Sequence, residues 1–416
     1  MRKHITLYCM FCLIAVFITR NIYSQDTWEQ VFPTGDIPEA REGHTMNVIG
    51  DKVYLFGGWG DESRFNPFFY FLLELLEWHR ILTSGESPQA RGGHAALALD
   101  FMLLLFFGFD GINVFDDIWQ YDPQTNTWSE INVNSVMRPA ARYDHTATLI
   151  GDKVYLLGGQ DSKGAQMNDL WVLDTKSLEW TMLSPIIGGS ITGHTAIAKD
   201  GNIHVYGGVR NGPWLNTNVF TYDPKTDVWT SSVPGGSSMP SNNAAAAQLN
   251  GIVHLFGGCR GTHVGLNRKW DIGLQSFDLK SAGPERTLAT ATPFPPVRNG
   301  QYQQVLFFGG RNTDTLYNDT WIYTTDIELS AKQPELTENF LFFPNPASDF
   351  ITINPGSARY NNCMIEIYST DGRKVISESL SEKEKTLDVS GLKNGTYLIS
   401  IISNGAVHSN KLVISR

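Results

Sequence analysis

A chain of 416 residues exceeds what one compact core usually holds, so several domains or a repeat array is expected. Its 39 glycines and 19 prolines, with 12% aromatic and 18% charged residues, exclude a disordered or long-helix protein and favour many short strands joined by turns. A net charge of −10 opposes approach to a phosphate backbone at long range, so no nucleic-acid partner is expected, and the acidic excess serves solubility.

The chain begins MRKHITLYCMFCLIAVFITRNIYSQD: Arg2 and Lys3, an apolar run from Ile5 to Ile18, then Ser24. That layout is a secretory signal peptide over residues 1–24, its apolar run too short to span a bilayer comfortably. Cys9 and Cys12 would leave with it. The remaining pair, Cys259 and Cys363, are far apart and fall in different predicted domains, so neither a disulfide framework nor a zinc spacing can be built.

From residue 25 to about 330 the chain repeats itself. Apolar runs ending on glycine occur as VYLFGG, LLFFGF, VYLLGG, HVYGGV, HLFGGC and LFFGGR, and their last landmarks are Gly58, Gly108, Gly159, Gly208, Gly258 and Gly310, a period near fifty. A histidine stands thirteen residues before the first-glycine position in four units: His44, His94, His145 and His194. Downstream come Tyr121-Asp122, Leu173-Asp174 and Tyr222-Asp223, each first residue followed seven positions later by Trp128, Trp180 or Trp229; Phe71 and Trp78 keep that spacing. Each unit therefore reads as four short antiparallel strands, with turns at positions such as Asp122-Pro123 and Gly151-Asp152. One such sheet cannot bury both faces alone, and radial stacking buries them.

These residues resemble the kelch repeat, over roughly residues 27 to 327. The resemblance implies an all-β fold, a six-bladed kelch-type β-propeller. TWEQV, Thr27 to Val31, looks like a tryptophan strand without its first three partners, while the last unit ends at TWIYTTD. The N-terminal strand is thus expected to complete the sixth sheet. Units one, five and six depart from the pattern: PFFYFLLELLEW replaces a polar turn, Ala244 stands where histidine is expected, the fifth unit lacks its tryptophan, and the sixth has a short first strand around NGQYQQ. Phe107 replaces a first glycine in the second unit. For FFYFLLELLEW the expectation is local repacking, with a partner surface over Leu72, Leu73, Leu75 and Leu76 as the alternative.

Residues 331–340 read as a linker, and 341–416 as a small antiparallel β-sandwich with turns at Asp371-Gly372, Asn394-Gly395 and Asn404-Gly405. FPNP (Phe343 to Pro346), IYSTDGRKV, LDVSGLKNGTYLISI and the final KLVIS resemble the C-terminal sorting domain of proteins exported by the type IX secretion system of Bacteroidota. The resemblance implies periplasmic transit, recognition by that export machinery, and release or attachment to surface lipopolysaccharide.

No catalytic residue, cofactor or metal site is expected. The recurring histidines occupy equivalent places around an axis and are read as packing and hydrogen-bonding residues. Among kelch-like enzymes, the copper oxidases need a tyrosine cross-linked to a cysteine, which Cys259 does not match, and the Glu-x3-Asp-x3-His series of the specifier proteins has no counterpart. The candidate ligand site is a rim: Asp61, Asp110 and Asp161 in the first three units, Arg210, Arg260 and Arg311 in the last three, with Trp59 and Phe109 as stacking surface. Arg41, Arg91 and Arg142 recur before the histidines and are expected to serve the repeat itself. The function expected is a secreted or surface-displayed, non-catalytic binding or scaffolding module taking a protein or carbohydrate at the channel mouth. The alternative is a carbohydrate-modifying enzyme, epimerase-like or a lyase, at the same place.

Overall fold

The alternation of side chains along each glycine-ended run decides how the sheets pack. In the strand Lys52–Phe56, Val53 and Leu55 face one neighbouring sheet, meeting Leu306, Phe308 and Ile322, while Tyr54 and Phe56 face the other, meeting Leu103, Leu105 and Tyr121. Burial on both faces is why these strands read as unbroken apolar runs. The computed structural model describes residues 26–61, 64–249, 251–263, 265–273, 276–279, 283–294, 302–326, 341–354, 363–369, 374–380, 385–403 and 406–416. The segment read as a signal peptide, the linker 331–340, and the turns at 371–372 and 404–405 lie outside them.

The chain divides into two compact units, Met1–Ile327 and Glu328–Arg416. In the first, the described residues form six sheets of four or five strands. The third is the plainest: Thr146–Ile150, Lys153–Leu157, Leu170–Asp174 and Glu179–Leu183 in chain order, every pair antiparallel. The sixth takes Thr290–Pro293, Tyr302–Phe308 and Thr320–Asp326 and is completed by Thr27–Val31, with Trp28 opposite Tyr323 and Gln30 opposite Trp321. Six apolar clusters separate consecutive sheets all the way round, one of them between the sixth and the first.

One sequence expectation is corrected here and another is filled in. YQQ of the sixth unit belongs to its second strand, Tyr302–Phe308; the first strand is Thr290–Pro293, earlier in the chain. More residues separate these two strands than the corresponding strands of the other units, so counting back from the glycines stops short of the first strand. The fifth unit does not lack the aromatic pair that the tryptophan marks: Phe277 takes the tryptophan's place and Trp270 faces it, rings stacked 5.5 Å apart at 10°. The sizes are exchanged and the cluster stays filled. In FFYFLLELLEW, Phe68, Phe69 and Phe71 are buried, Leu73 and Leu76 pack on the core, and Leu75 alone of the turn leucines is well exposed.

The second unit packs a three-stranded sheet (Leu341–Phe343, Phe350–Asn354, Lys385–Asp388) against a four-stranded one (Cys363–Ser369, Lys374–Leu380, Gly395–Ser403, Ala406–Ile414). Ile351, Ile353, Ile365, Ile367, Ile399 and Leu412 fill the space between them. Arg416 ties the end back, donating to the carbonyls of Ser348, Leu392 and Val389.

Candidate functional site

The six first strands of the larger unit are held around one axis by a closed ring of backbone hydrogen bonds. Gly93 N–H donates to Gly43, Asp144 to Gly93, Gly193 to Asp144, Asn243 to Gly193, Leu288 to Asn243, and Gly43 back to Leu288, at 2.8 to 3.1 Å. All six donors have positive φ, between 52° and 63°. That conformation suits glycine and is tolerated by Asn and Asp, so Asp144 and Asn243 are admitted to the ring with polar side chains. A second ring lies outside it: the second glycine of each unit donates to the loop residue of the next, as Gly58 to Arg91 and Gly310 to Arg41. A Cβ on Gly57 would come within 2.5 Å of the Arg91 carbonyl, which is why glycine opens this turn. Phe107 sits at the same place with φ of 61°.

The residue after each second glycine forms the rim. Trp59, Phe109, Gln160, Val209, Cys259 and Arg311 stand at equivalent positions, bridged respectively to Glu42, Gly92, Tyr143, Thr192, Asn242 and Thr287. The first half of this circle therefore carries the aromatic residues and the carboxylate of Glu42, and the second half carries the guanidinium of Arg311. Trp59 Nε1 donates to the Phe109 carbonyl at 3.1 Å, Tyr143 stacks on Phe109 with centroids 4.9 Å apart, and Trp59 meets Tyr143 edge to face at 6.2 Å. The Trp59 ring lies over bare main chain: a Cβ on Gly93 would sit 3.0 Å from it and 2.8 Å from Asp144 Oδ1. Asp144 Oδ2 accepts from Gln160 Nε2 at 3.1 Å. Burial pushes the Asp144 carboxyl up to about 7; Gln160 opposes this, and the negative Glu42 adds to it. Glu42 is raised too, by burial, with Arg311 acting against the shift and Asp61 for it.

Of the residues that the sequence brought forward, Trp59, Phe109 and Arg311 stand on the rim. Arg311 donates to Glu42 Oε1 at 3.1 Å and to Asp61 Oδ1 at 3.3 Å, joining the sixth unit to the first. Arg210 and Arg260 fall one residue later than Arg311 relative to their glycines. Since side chains alternate along a strand, that offset turns them off the rim position. Arg210 donates to the Ile187 and Gly189 carbonyls and lies over Phe220 at 4.3 Å, clamping its own loop, and Arg260 is exposed. Asp110 and Asp161 accept from backbone N–H groups of their own turns, Ile112 and Asn113 in one case, Lys163 and Ala165 in the other. The three arginines and three aspartates thus do not form one facing pair of arcs.

Sequence reasoning did not single out Glu42, Tyr143, Asp144 or Gln160. The available signal was the positional comparison itself: Asp144 occupies the place of Gly43, Gly93 and Gly193.

Arg41, Arg91 and Arg142 lie fully buried beneath the rim, each donating through Nη1 to a carbonyl sixteen residues on: Gly57, Phe107 and Gly158. Asp117 pairs with Arg91 and Asp169 with Arg142, and the same carboxylates accept from Trp119 and Trp171. Arg286, Asp319 and Trp321 repeat the arrangement in the sixth unit. The sequence signal for the carboxylates is Asp-x-Trp, in three units. The histidines link sheets: His94 Nε2 lies 2.9 Å from Thr45 Oγ1, His194 2.8 Å from Thr146, and His44 2.7 Å from Thr290. Burial holds His94 and His194 down to about 3, and His44 and His145 well below the usual imidazole range, so all four are neutral. With the axial residues they line a cavity of about 140 Å³.

Comparison with known proteins agrees with this architecture. A family profile described as the KLHDC2/KLHL20/DRC7 Kelch-repeats domain matches residues 14–159 and 135–281. This chain belongs to the kelch-repeat family. A second profile, the secretion system C-terminal sorting domain, matches residues 341–415. Among curated relatives, the kelch protein is 28% identical over 207 residues to acyl-CoA-binding domain-containing protein 6 of Oryza sativa subsp. japonica, covering 46% of this chain and 30% of that one. It is 31% identical over 271 residues to the dynein alpha chain of the flagellar outer arm of Chlamydomonas reinhardtii, covering 59% of this chain and 6% of that one. With human kelch domain-containing protein 3 it shares 27% identity over 187 residues, 40% of this chain and 47% of that one. The kelch protein thus spans less than half the length of each of these relatives. Its sorting domain marks it for export, to the cell surface or beyond.

Proposed function

We propose that this is a non-catalytic binding module carried out of the cell: a six-bladed kelch propeller, delivered through the periplasm by an N-terminal signal peptide and the type IX machinery, that holds a protein segment at one mouth of its axis. The observation that carries the binding reading is the uneven rim, where Trp59, Phe109 and Tyr143 gather over the glycine main chain of the axial ring. Aromatic side chains on a rigid floor offer contact area at low entropic cost, which is what recognition sites are made from. Arg41, Arg91 and Arg142, with His44, His94 and His194, are already engaged below the rim, and their hydrogen bonds support a scaffold role for them.

The test is selection from a displayed library of random peptides on the full chain, followed by binding of the selected peptides to Trp59→Phe and Arg311→Gln variants. Phenylalanine already occupies the Trp59 position in the second unit, as Phe109, so the fold accepts it. Selected peptides are expected to lose affinity for at least the first variant. Peptides that bind both variants as well as the parent would place recognition elsewhere and sink the reading.

A further inference from the structure

The rim's two halves differ in charge as well as in aromatic content, and the difference names a ligand chemistry. Resting on the binding reading above, we infer that the aromatic and acidic half of the mouth receives one organic cation, a guanidinium or ammonium group, with Asp144 as its counter-ion and Trp59 and Tyr143 as its walls.

The argument begins with what each charge is already doing. Arg311 is taken up by Glu42 and Asp61, and Arg64 already lies over the Trp59 ring at 5.9 Å and acts on Glu42. Asp144 has no ion-pair partner among the described residues; its Oδ2 accepts from the neutral Gln160, and its Oδ1 lies over Gly93, where the Trp59 ring edge also lies. A carboxylate ligand would meet Asp144, Glu42 and Asp61 and find the nearby guanidinium occupied. A neutral ligand would leave the ionised form of Asp144 uncompensated. A cation satisfies the carboxylate, with the edges of Trp59 and Tyr143 beside it.

A second observation points the same way. His145 is 6% exposed, lines the same axial cavity as Asp144, and has neither ring nitrogen partnered, whereas His44, His94 and His194 each meet a threonine. Glu42 Oε2 is likewise buried without a partner. Polar atoms are left open on the acidic side of the axis and can accept N–H groups that the chain itself does not supply.

The groups around Asp144 are Glu42, Tyr143, Asp161, Gln160, the neutral imidazoles of His94, His145 and His194, and Arg142, which is held by Asp169. With its carboxyl raised to about 7, Asp144 is only partly ionised at neutral pH, so binding of a cation draws off a proton and strengthens as pH rises.

The experiment is titration calorimetry of the full chain with acetyl-Gly-Arg-Gly-amide, its citrulline and glutamate counterparts, and methylguanidinium. The arginine peptide is expected to bind at least about tenfold more tightly than the citrulline peptide, and more tightly near pH 8 than near pH 6. Asp144→Asn is expected to abolish both differences. The variant keeps the ring backbone, because Asn243 already occupies the equivalent left-handed position. A peptide that outbinds methylguanidinium assigns the cation to a partner's side chain, and equal binding assigns it to a free cation. Equal affinity for arginine and citrulline, or an unchanged Asp144→Asn, overturns the inference. If citrulline or glutamate peptides bind and Trp59→Phe weakens them, the cation fails while the binding-module reading stands; if no peptide binds at all, both fail.

Discussion

The third and fifth sheets solve one problem in two ways. In the third, Arg142 enters from the loop before the first strand, reaches the Gly158 carbonyl, and is paired by Asp169. In the fifth, the loop position is Ser241, whose hydroxyl donates to the Gly257 carbonyl, and the guanidinium comes instead from the third strand: Arg268 donates to the same carbonyl at 2.7 Å and to that of Met239. Arg268 stands where the third sheet has Trp171, opposite a buried leucine in both. No carboxylate pairs it among the described residues, and burial pushes its pKa down to about 10. In both sheets a donor reaches the carbonyl of the glycine turn; the carboxylate belongs to one way of bringing it there.

The largest expected effect breaks this comparison at its centre. Arg142→Met removes the guanidinium from the part-buried Asp169, which keeps the Trp171 N–H, and should cost about 3 kcal/mol in denaturant unfolding. Arg268→Met leaves no orphaned carboxylate, only under-satisfied carbonyls, and should cost about 1–3 kcal/mol. Equal losses would show that the carboxylate is incidental even in the third sheet.

Next comes pH. Burial keeps His145 neutral in the folded chain, whereas the unfolded chain takes up a proton below about pH 6.5. Stability is therefore lost as pH falls from about 6.5 towards 5, by up to roughly 1.4 kcal/mol per pH unit for each such histidine. The fifth sheet has Ala244 at this place, so no histidine at the equivalent position adds to that slope. His145→Ala should flatten the dependence by about one histidine's share, read from melting temperatures over that range; an unchanged slope would mean that His145 already finds a proton-accepting partner in the cavity.

The smallest effect sharpens the contrast between sheet junctions. Thr45, Thr146 and Thr290 each serve the histidine of the next unit, but Ala95 stands opposite His145. Ala95→Thr should supply the missing bond and stabilise by about 0.5–1.5 kcal/mol, measured by chemical denaturation.

The repeat, the ring and its closure were legible because glycine landmarks report backbone conformation, which tolerates little substitution. His44, His94, His145 and His194 were legible as structural residues for the same reason: they recur. Legibility failed where the chain changed its spacing or its side of the strand. The wider separation before Tyr302 hid the sixth unit's first strand, and exchange of ring sizes at Trp270 and Phe277 hid the fifth unit's pair. On the rim, Arg311 and Arg210 look alike in sequence, yet a one-residue offset sends one guanidinium to Glu42 and the other back to its own loop. Asp144 was not legible as a site residue because its meaning lies in replacing a glycine at a position that only the closed ring defines.

Closure of the sixth sheet has a consequence for how the larger unit comes into being. Thr325 donates to Asp26, 299 residues away in the chain, and Lys269 of the fifth sheet pairs with the same carboxylate at 3.2 Å. Because both termini of the unit meet in one seam, no fragment that lacks either end can seal itself. Covering the last open flank therefore depends on a pairing that closes a loop of nearly the whole unit, and such closure carries the largest chain-entropy cost of any contact in it.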